Sequence, residues 1–159
     1  MKKDAIKAFT ARVTQASQSE LTVILYEMIL TEIKEAREAY EAGDLATFDK
    51  ELKLGQKYIT ELQAGLNFSY AISYDLMSLY LYVNKSIITA IIRRNPLTLA
   101  SAESVMSKLL VGFEGVSKAD RSGPVMRNTQ QLYAGLTYGR GYLNETYIDP
   151  SNKSRGFIA

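Results

Sequence analysis

The chain has 159 residues, of which 47% are hydrophobic and 23% charged, so it is long enough for one compact domain and leaves no room for a second full one. It contains no histidine, cysteine or tryptophan, which excludes serine-histidine catalysis, cysteine nucleophiles, disulfides, thiolate or imidazole zinc sites, and haem ligation by His or Cys. Residues 1–80 carry 9 basic and 12 acidic side chains and residues 81–159 carry 10 and 5, a mild asymmetry that does not indicate nucleic-acid binding.

The distribution of apolar and charged residues along the chain does not indicate a secretory signal or a membrane-spanning segment. Four of the first seven residues are charged and no uninterrupted apolar stretch follows them, unlike a secretory signal. The longest segment without charge, Leu62 to Tyr74, is shorter than a bilayer span requires. We therefore expect a cytoplasmic protein that does not insert into a membrane.

The first long helix is predicted to begin at a capping box. Ser17 and Glu20 have the spacing at which each side chain bonds the other's backbone N–H. Apolar residues then recur with helical periodicity as far as Tyr40, and Gly43 is well placed as a left-handed stop. Asp44 is predicted to cap the next helix, and so short a connection is typical of antiparallel neighbours.

The second predicted helix, from Leu45 to Leu66, is amphipathic, with its lysines largely opposite its apolar positions. The third, from about Ile72 to Arg94, has apolar residues on nearly every side. Such a helix is either central in the bundle or presents apolar surface to a partner.

Asn95-Pro96 is predicted to end the third helix and to start a fourth, with Asn95 as cap and Pro96 at the first helical position. We expect this fourth helix to fray near Gly112 and Gly115. The composition changes after this helix, because residues 123–159 hold five of the ten glycines. We therefore expect little regular structure there. The predicted architecture is an all-α antiparallel bundle of four or five helices over residues 1–118, with a mostly irregular C-terminal extension over 119–159.

Candidate catalytic sites are weak. The glutamates from Glu27 to Glu41 alternate with Lys34 and Arg37 at helical spacing, which indicates a solvated face rather than paired acid and base. A small helical mutase is the alternative function, because such an enzyme needs only Arg, Lys, Glu and Gln, and Arg93-Arg94 could clamp carboxylates. Two arginines at a helix end are more often surface residues that complement the helix dipole. We expect no catalytic residue, metal or cofactor.

A series of short motifs along the chain resembles one family. In order and spacing, the segments Ala5–Phe9, Ala16–Leu21, Leu25–Glu27, Glu41–Asp44, Leu66-Asn67 and Leu79–Tyr82 are similar to those of the flagellar secretion chaperone FliS. The likeness covers roughly residues 5–115. It departs from the family at Gln18, where a proline is usual, and at Met28 and Asn67, where the family has glycine and aspartate.

The resemblance implies an antiparallel helical bundle that binds the disordered C-terminal segment of flagellin, one to one, in the cytoplasm. Such binding keeps flagellin from polymerising early and presents it to a component of the export gate. Folding an amphipathic segment over apolar grooves exchanges exposed surface for buried surface at a cost in ordering entropy. The apolar third helix also predicts that the protein forms a homodimer without its client.

Two groups of residues are predicted to bind partners. Apolar residues of the first three long helices are the candidates for the flagellin groove: Leu25, Tyr26, Ile29, Leu76, Leu79, Tyr80 and Val83. By similarity, the N-terminal segment with Ile6 and Phe9 lies against the bundle or contacts the export gate, and a frayed terminus is the alternative.

The extension supplies one further hypothesis. Six of its apolar residues could lie along the bundle and shield the groove until flagellin displaces them: Leu132, Tyr133, Leu136, Tyr138, Tyr142 and Leu143. The alternative is that the extension covers another face or docks a second partner.

Overall fold

The computed structural model describes residues 1–126, and all regular secondary structure in this range is helical. This confirms the predicted all-α class. A 3-10 turn at Pro96–Thr98 precedes the last of five α-helices, which are α1 (Lys3–Val13), α2 (Gln18–Glu41), α3 (Leu45–Ala64), α4 (Ile72–Arg93) and α5 (Leu99–Ala119).

Local chemistry sets the ends of α2 as predicted. The backbone N–H of Glu20 donates to the Ser17 hydroxyl at 3.3 Å, and that of Ser17 donates to the Glu20 carboxylate at 2.8 Å. Gly43 has a φ of +77°, in the left-handed region that glycine adopts without strain. The Asp44 carboxylate then accepts from the backbone N–H of Thr47 at 2.9 Å and caps α3.

Helices α2 to α5 form a bundle around one core, and α1 packs against α2. Short connections at 42–44 and 94–98 reverse the chain, so consecutive helices run antiparallel. Helix α2 contacts both α3 and α5, and α4 contacts the same two helices. The largest fully buried apolar side chains include Tyr26, Tyr80, Phe48, Ile33 and Met106.

The predicted start of the fourth helix is confirmed, but its predicted end is wrong. The Asn95 side chain accepts from the backbone N–H of Leu97 at 2.8 Å and caps the 3-10 turn that leads into α5. We expected fraying near Gly112 and Gly115, yet α5 continues to Ala119. Neither glycine has the positive φ that would end a helix.

Contacts beyond the two glycines explain why α5 persists. The ring of Phe113 packs edge-on against Tyr26, with 5.3 Å between ring centroids. The Asp120 carboxylate accepts a hydrogen bond from the Ser19 hydroxyl, and hydrogen bonding lowers its pKa. These contacts tie the end of α5 to the first half of α2.

Within residues 1–126, no helix is both long enough and apolar enough to span a bilayer. Helix α5 ends one residue past the predicted domain boundary at 118. The six extension residues from Leu132 to Leu143, and the shielding role predicted for them, lie outside the described residues.

Candidate functional site

An open cleft of about 300 Å³ lies where the first turns of α2, the end of α3 and the first half of α4 meet. Most of its lining is apolar: Leu21, Leu25, Leu62, Leu66, Tyr70, Ile72, Leu76, Tyr80 and Phe113. Leu62, Leu76 and Tyr80 are buried, whereas Tyr70 and Ile72 are 64% and 60% exposed. The cleft therefore has a packed floor and an exposed apolar rim, a shape that accepts apolar side chains of a partner.

A buried tyrosine pair supports the floor of the cleft. The hydroxyls of Tyr26 and Tyr80 lie 2.5 Å apart and share a hydrogen bond across the core. Burial raises the pKa of both phenols, so both stay neutral at physiological pH. Each hydroxyl therefore has a partner inside the core, which removes the cost of burying it alone.

Helix α4 carries apolar side chains on two opposite faces. Its core face holds Leu76, Tyr80, Val83, Ile87 and Ala90, all buried. Its other face holds four apolar residues, which we call the α4 stripe: Tyr74 (61% exposed), Leu81 (54%), Ile88 (39%) and Ile92 (76%). Spacings of seven, seven and four residues place them along one line of the helix. The helix is thus both central and apolar towards solvent.

The structure divides the seven predicted groove residues among three places. Leu25, Leu76 and Tyr80 line the cleft. Tyr26, Ile29 and Val83 are each 0% exposed and lie in the core. They do not contact a ligand directly and affect binding only by supporting the side chains above them. Leu79 is 36% exposed on α4, away from the stripe.

The N-terminal segment is a helix that lies against the bundle rather than a frayed end. Ile6 and Phe9 line a small cavity of about 150 Å³ together with Met28 of α2 and Tyr58 of α3. Ile6 is nevertheless 48% exposed, and none of the residues of α1 is buried. Helix α1 therefore rests on the surface and contributes little to the core.

Three glutamates meet beside the start of α1. Glu32 and Glu35 of α2 and Glu51 of α3 bring carboxylate oxygens within 4.8 Å of one another, the only such acidic or metal-ligating group among residues 1–126. The α-ammonium group of Met1 lies among them, 3.4 Å from Glu32, 3.0 Å from Glu35 and 2.5 Å from Glu51. The three carboxyl groups therefore form ion pairs with this amine.

Burial divides the charge within this cluster. It raises the pKa of Glu32 to about 8, since a charged carboxylate there would be desolvated and would lie beside Glu51. At Glu51 burial acts in the same direction, but hydrogen bonds from Glu32 and from the Met1 ammonium outweigh it and lower the pKa. The environment therefore favours the proton on Glu32 and the negative charge on Glu51.

The expectation that these glutamates form a solvated face is wrong for Glu32, which is fully buried. Helical spacing gives only the relative directions of the side chains on α2. It cannot show that α3 and the residues before α1 cover the Glu32 side chain. Arg37 pairs with Glu103 of α5 at 2.8 Å instead of a neighbour on its own helix.

The sequence predicted that α4 is either central or presents apolar surface to a partner, but the residues of the α4 stripe and of the cleft rim were not singled out as candidates. The seven-residue spacing from Tyr74 to Leu81 to Ile88 was a usable signal, but it overlaps a second apolar periodicity on the same helix. The mutase alternative gains no support, because Arg93 and Arg94 are exposed and no arginine is buried in the part of the chain that the structure describes.

Comparisons with known proteins agree with this architecture. A search of curated proteins found no match. The sequence profile of the family described as flagellar protein FliS matches residues 1–120, about three quarters of the chain. A match of this extent, on a chain that folds as an all-α bundle, shows that the chain belongs to the FliS family of flagellar export chaperones.

Proposed function

We propose that this protein binds the disordered C-terminal segment of flagellin in the cytoplasm, keeps it from polymerising and delivers it to the flagellar export apparatus. Membership of the FliS family supports flagellin as the client. The client covers the α4 stripe, the cleft with its lining residues Leu25, Leu76 and Tyr80, and the exposed part of Leu79 elsewhere on α4. Three core residues support these contacts from beneath: Tyr26, Ile29 and Val83.

The observation that carries the proposal is the second apolar face of α4. The bundle needs one apolar face on this helix to close its core, and Tyr80 and Val83 provide it. Leu81 and Ile88 lie outside the core and are 54% and 39% exposed. Exposed aliphatic side chains along one line of a helix are typical of a surface that a partner covers.

The physical chemistry suits a client that is delivered and then released. A disordered segment that folds on binding buries on the order of 1,000–3,000 Å² while ordering entropy offsets part of the gain. The stripe and the rim of the cleft supply aliphatic and aromatic anchors for such a segment. The net affinity is then moderate, and a downstream factor can remove the client.

Two further contacts belong to the proposal. The exposed side of α1, which includes Ile6, is the surface offered to the export-gate component. Without its client, the α4 stripe is the surface on which two copies of the chain form a homodimer.

The test is a calorimetric titration with the C-terminal segment of flagellin from the same organism. The account predicts one-to-one saturation with a negative heat-capacity change, the signature of apolar burial. The double variant Leu81→Ser/Ile88→Ser should lose at least tenfold in affinity, since burying each side chain contributes on the order of 1.5–3 kcal/mol.

The matched control is Val111→Ser/Val116→Ser on α5, where the side chains are 71% and 56% exposed. It removes exposed apolar area of similar kind outside the stripe and should bind like the unaltered protein. Equal losses in the two double variants, or no binding by the unaltered protein, would contradict the proposal.

A further inference from the structure

We propose that the end of the bundle where α4 leads into α5 binds an acidic segment of a second protein that carries leucine or phenylalanine side chains. The proposed surface, which we call the end groove, is a cavity of about 380 Å³ between α2 and the residues that lead into α5. Its lining includes Arg37, Tyr40 and Glu41 of α2 together with Pro96, Leu97 and Ala100. None of these residues belongs to the surfaces assigned to flagellin, so the inference goes beyond the chaperone function.

The apolar part of the end groove is Leu97, which lies on the turn before α5. Leu97 is 80% exposed, a larger fraction than that of any residue of the α4 stripe. Pro96 fixes the backbone beside it and the Asn95 side chain caps the 3-10 turn, so Leu97 is exposed on a turn of defined geometry. A single exposed leucine is common on protein surfaces. What distinguishes this one is the backbone of the residues that precede it.

Arg94, at the end of α4, has an unfavourable backbone conformation. Its φ and ψ are both 47°, and among residues 1–126 it is the only residue other than glycine with a positive φ. A side chain disfavours this left-handed region, whereas glycine adopts it freely and is the usual residue where a helix ends in this way. An arginine at this position therefore lowers the stability of the fold relative to a glycine.

Contacts within the described part of the chain do not offset that cost. Arg94 is exposed and forms no ion pair with any of residues 1–126. It is not needed to complement the negative end of the α4 dipole, because Arg93 in the last helical turn does so. Strained backbone positions cluster at sites that bind ligands. The guanidinium group of Arg94 is therefore available to a carboxylate of another molecule.

The charged residues that line the end groove or directly precede it favour an acidic partner. Arg37 is 35% exposed and its charge is balanced by Glu103, which lies 2.8 Å away. The others are Arg93, Arg94 and Glu41, so the local charge is positive. Arginine binds a carboxylate through two parallel hydrogen bonds, which lysine cannot do. An acidic segment with an apolar side chain matches both this charge and the exposed Leu97.

The end groove and the cleft lie at opposite ends of α4. The cleft includes Ile72, the first residue of the helix, and the end groove follows its last turn. A helix of 22 residues is about 33 Å long. A chain that holds its client in the cleft therefore leaves the end groove accessible to a second protein.

The experiment is an NMR titration of the isotope-labelled full chain with a blocked peptide of sequence Glu-Asp-Leu-Phe-Asp-Glu-Leu. The peptide should shift the backbone amides of residues 37–41 and 94–100, and its affinity should fall as salt is added, because exposed charges are screened. A neutral peptide in which Gln and Asn replace Glu and Asp should bind more weakly. The amides around Leu81 and Ile88 on the α4 stripe should not shift.

Substitutions separate the apolar contact from the charged one. Leu97→Ser should weaken binding of the acidic peptide about tenfold, and Arg94→Gly about two- to fivefold. Arg94→Gly should also raise the denaturation midpoint, because glycine relieves the left-handed backbone, whereas loss of a structural arginine would lower the midpoint. Glu41→Gln should strengthen binding, since it removes a like charge. The matched control is Arg121→Gly, an exposed arginine at the other end of α5, which should leave binding within about twofold.

Equal binding of the acidic and neutral peptides would overturn the proposal, and so would an unchanged affinity in Leu97→Ser. Amide shifts confined to the α4 stripe or to the cleft would also overturn it. The titration is repeated with the flagellin segment bound, where the acidic peptide should keep its affinity. Competition between the two would overturn the proposal, because the end groove would then belong to the client site. If the flagellin segment does not bind at all, the proposed function fails while the first titration still decides the end groove.

Discussion

The α4 stripe and the cluster of Glu32, Glu35 and Glu51 around the Met1 amine, which we call the amine site, depart from the usual distribution of side chains in opposite directions. At the stripe, Leu81 and Ile88 expose apolar surface on a helix whose other face already closes the core. At the amine site, Glu32 and Glu51 bury acidic groups that solvent would stabilise better. Each departure becomes favourable only when a complementary group is supplied.

The two regions differ in where that group comes from. At the amine site the chain supplies it, because the Met1 ammonium lies 2.5 Å from Glu51. At the stripe no described residue covers Leu81 or Ile92, and the client is proposed to do so. An exposed apolar line and a buried cluster of acidic groups are therefore alike in one respect: each is stable only against a complementary group.

The largest expected effect is a difference in the free energy of unfolding between variants on the two faces of α4. Tyr80→Ala should lower the free energy of unfolding by about 3–5 kcal/mol, because it leaves a cavity in the core and strands the hydroxyl of Tyr26. Leu81→Ala on the stripe should lower it by less than about 1 kcal/mol. Chemical denaturation measures both, and comparable losses would show that the stripe is part of the fold rather than a surface kept for a partner.

A second prediction tests whether the client site includes the cleft. Ile72→Ser, at the exposed rim of the cleft, should weaken binding of the flagellin segment by about tenfold while stability changes little. Leu97→Ser is the control, since Leu97 is 80% exposed at the opposite end of α4. Titration calorimetry would refute a role for the cleft if both variants bound equally well.

A third effect probes the amine site through pH. The unfolded chain loses the Glu32 proton near its ordinary pKa of 4.5, whereas burial and the hydrogen bond with Glu51 raise the pKa of Glu32 in the folded chain to about 8. The folded state thus binds more protons across this window, and stability falls as pH rises. The Met1 ammonium acts with the same sign, because its carboxylate partners outweigh burial and raise its pKa above 8.0.

Denaturation midpoints at pH 5, 7 and 9 measure this decline. Glu32→Gln should flatten the dependence between pH 5 and 8, and Glu38→Gln should leave it intact. The other titratable group near the cluster is Tyr58, whose pKa is raised by burial and by Glu32 and Glu51, so it stays neutral in this window. An unchanged slope in Glu32→Gln would contradict the assignment of the acid proton.

The smallest expected effect concerns the surface near α1. Glu38→Gln should change the free energy of unfolding by less than about 0.5 kcal/mol, since the pair with Lys2 is exposed and screened by salt. A larger change would mean that this exposed pair stabilises the fold more than surface ion pairs usually do. Denaturation of the variant at low and high salt decides this.

Helix ends were predictable from the sequence, because each depends on residues close together in the chain. The capping box at Ser17, the turn at Gly43 and the cap at Asp44 act over three or four residues. The colinear motifs also identified the FliS family, which the profile match confirms.

The site was less predictable, because periodicity does not say which apolar line faces the core. Helix α4 has two such lines, and the prediction took Tyr80 and Val83 from the buried one while it missed Leu81 and Ile88. The amine site needed contacts between Met1 and Glu51, 50 residues apart, which no local pattern encodes. Fraying was expected at Gly112 because no local pattern shows that Phe113 is anchored on Tyr26, and these residues are also far apart in the chain.

The most direct test of the central claim is site-specific photocrosslinking in a mixture with flagellin. A photoreactive side chain at position 88, on the α4 stripe, and the same side chain at position 111, on α5, report which exposed surface the client covers. The account predicts a crosslink to the C-terminal segment of flagellin from position 88 and none from position 111. Crosslinking from position 111 alone, or from neither position when calorimetry shows a complex, would contradict it.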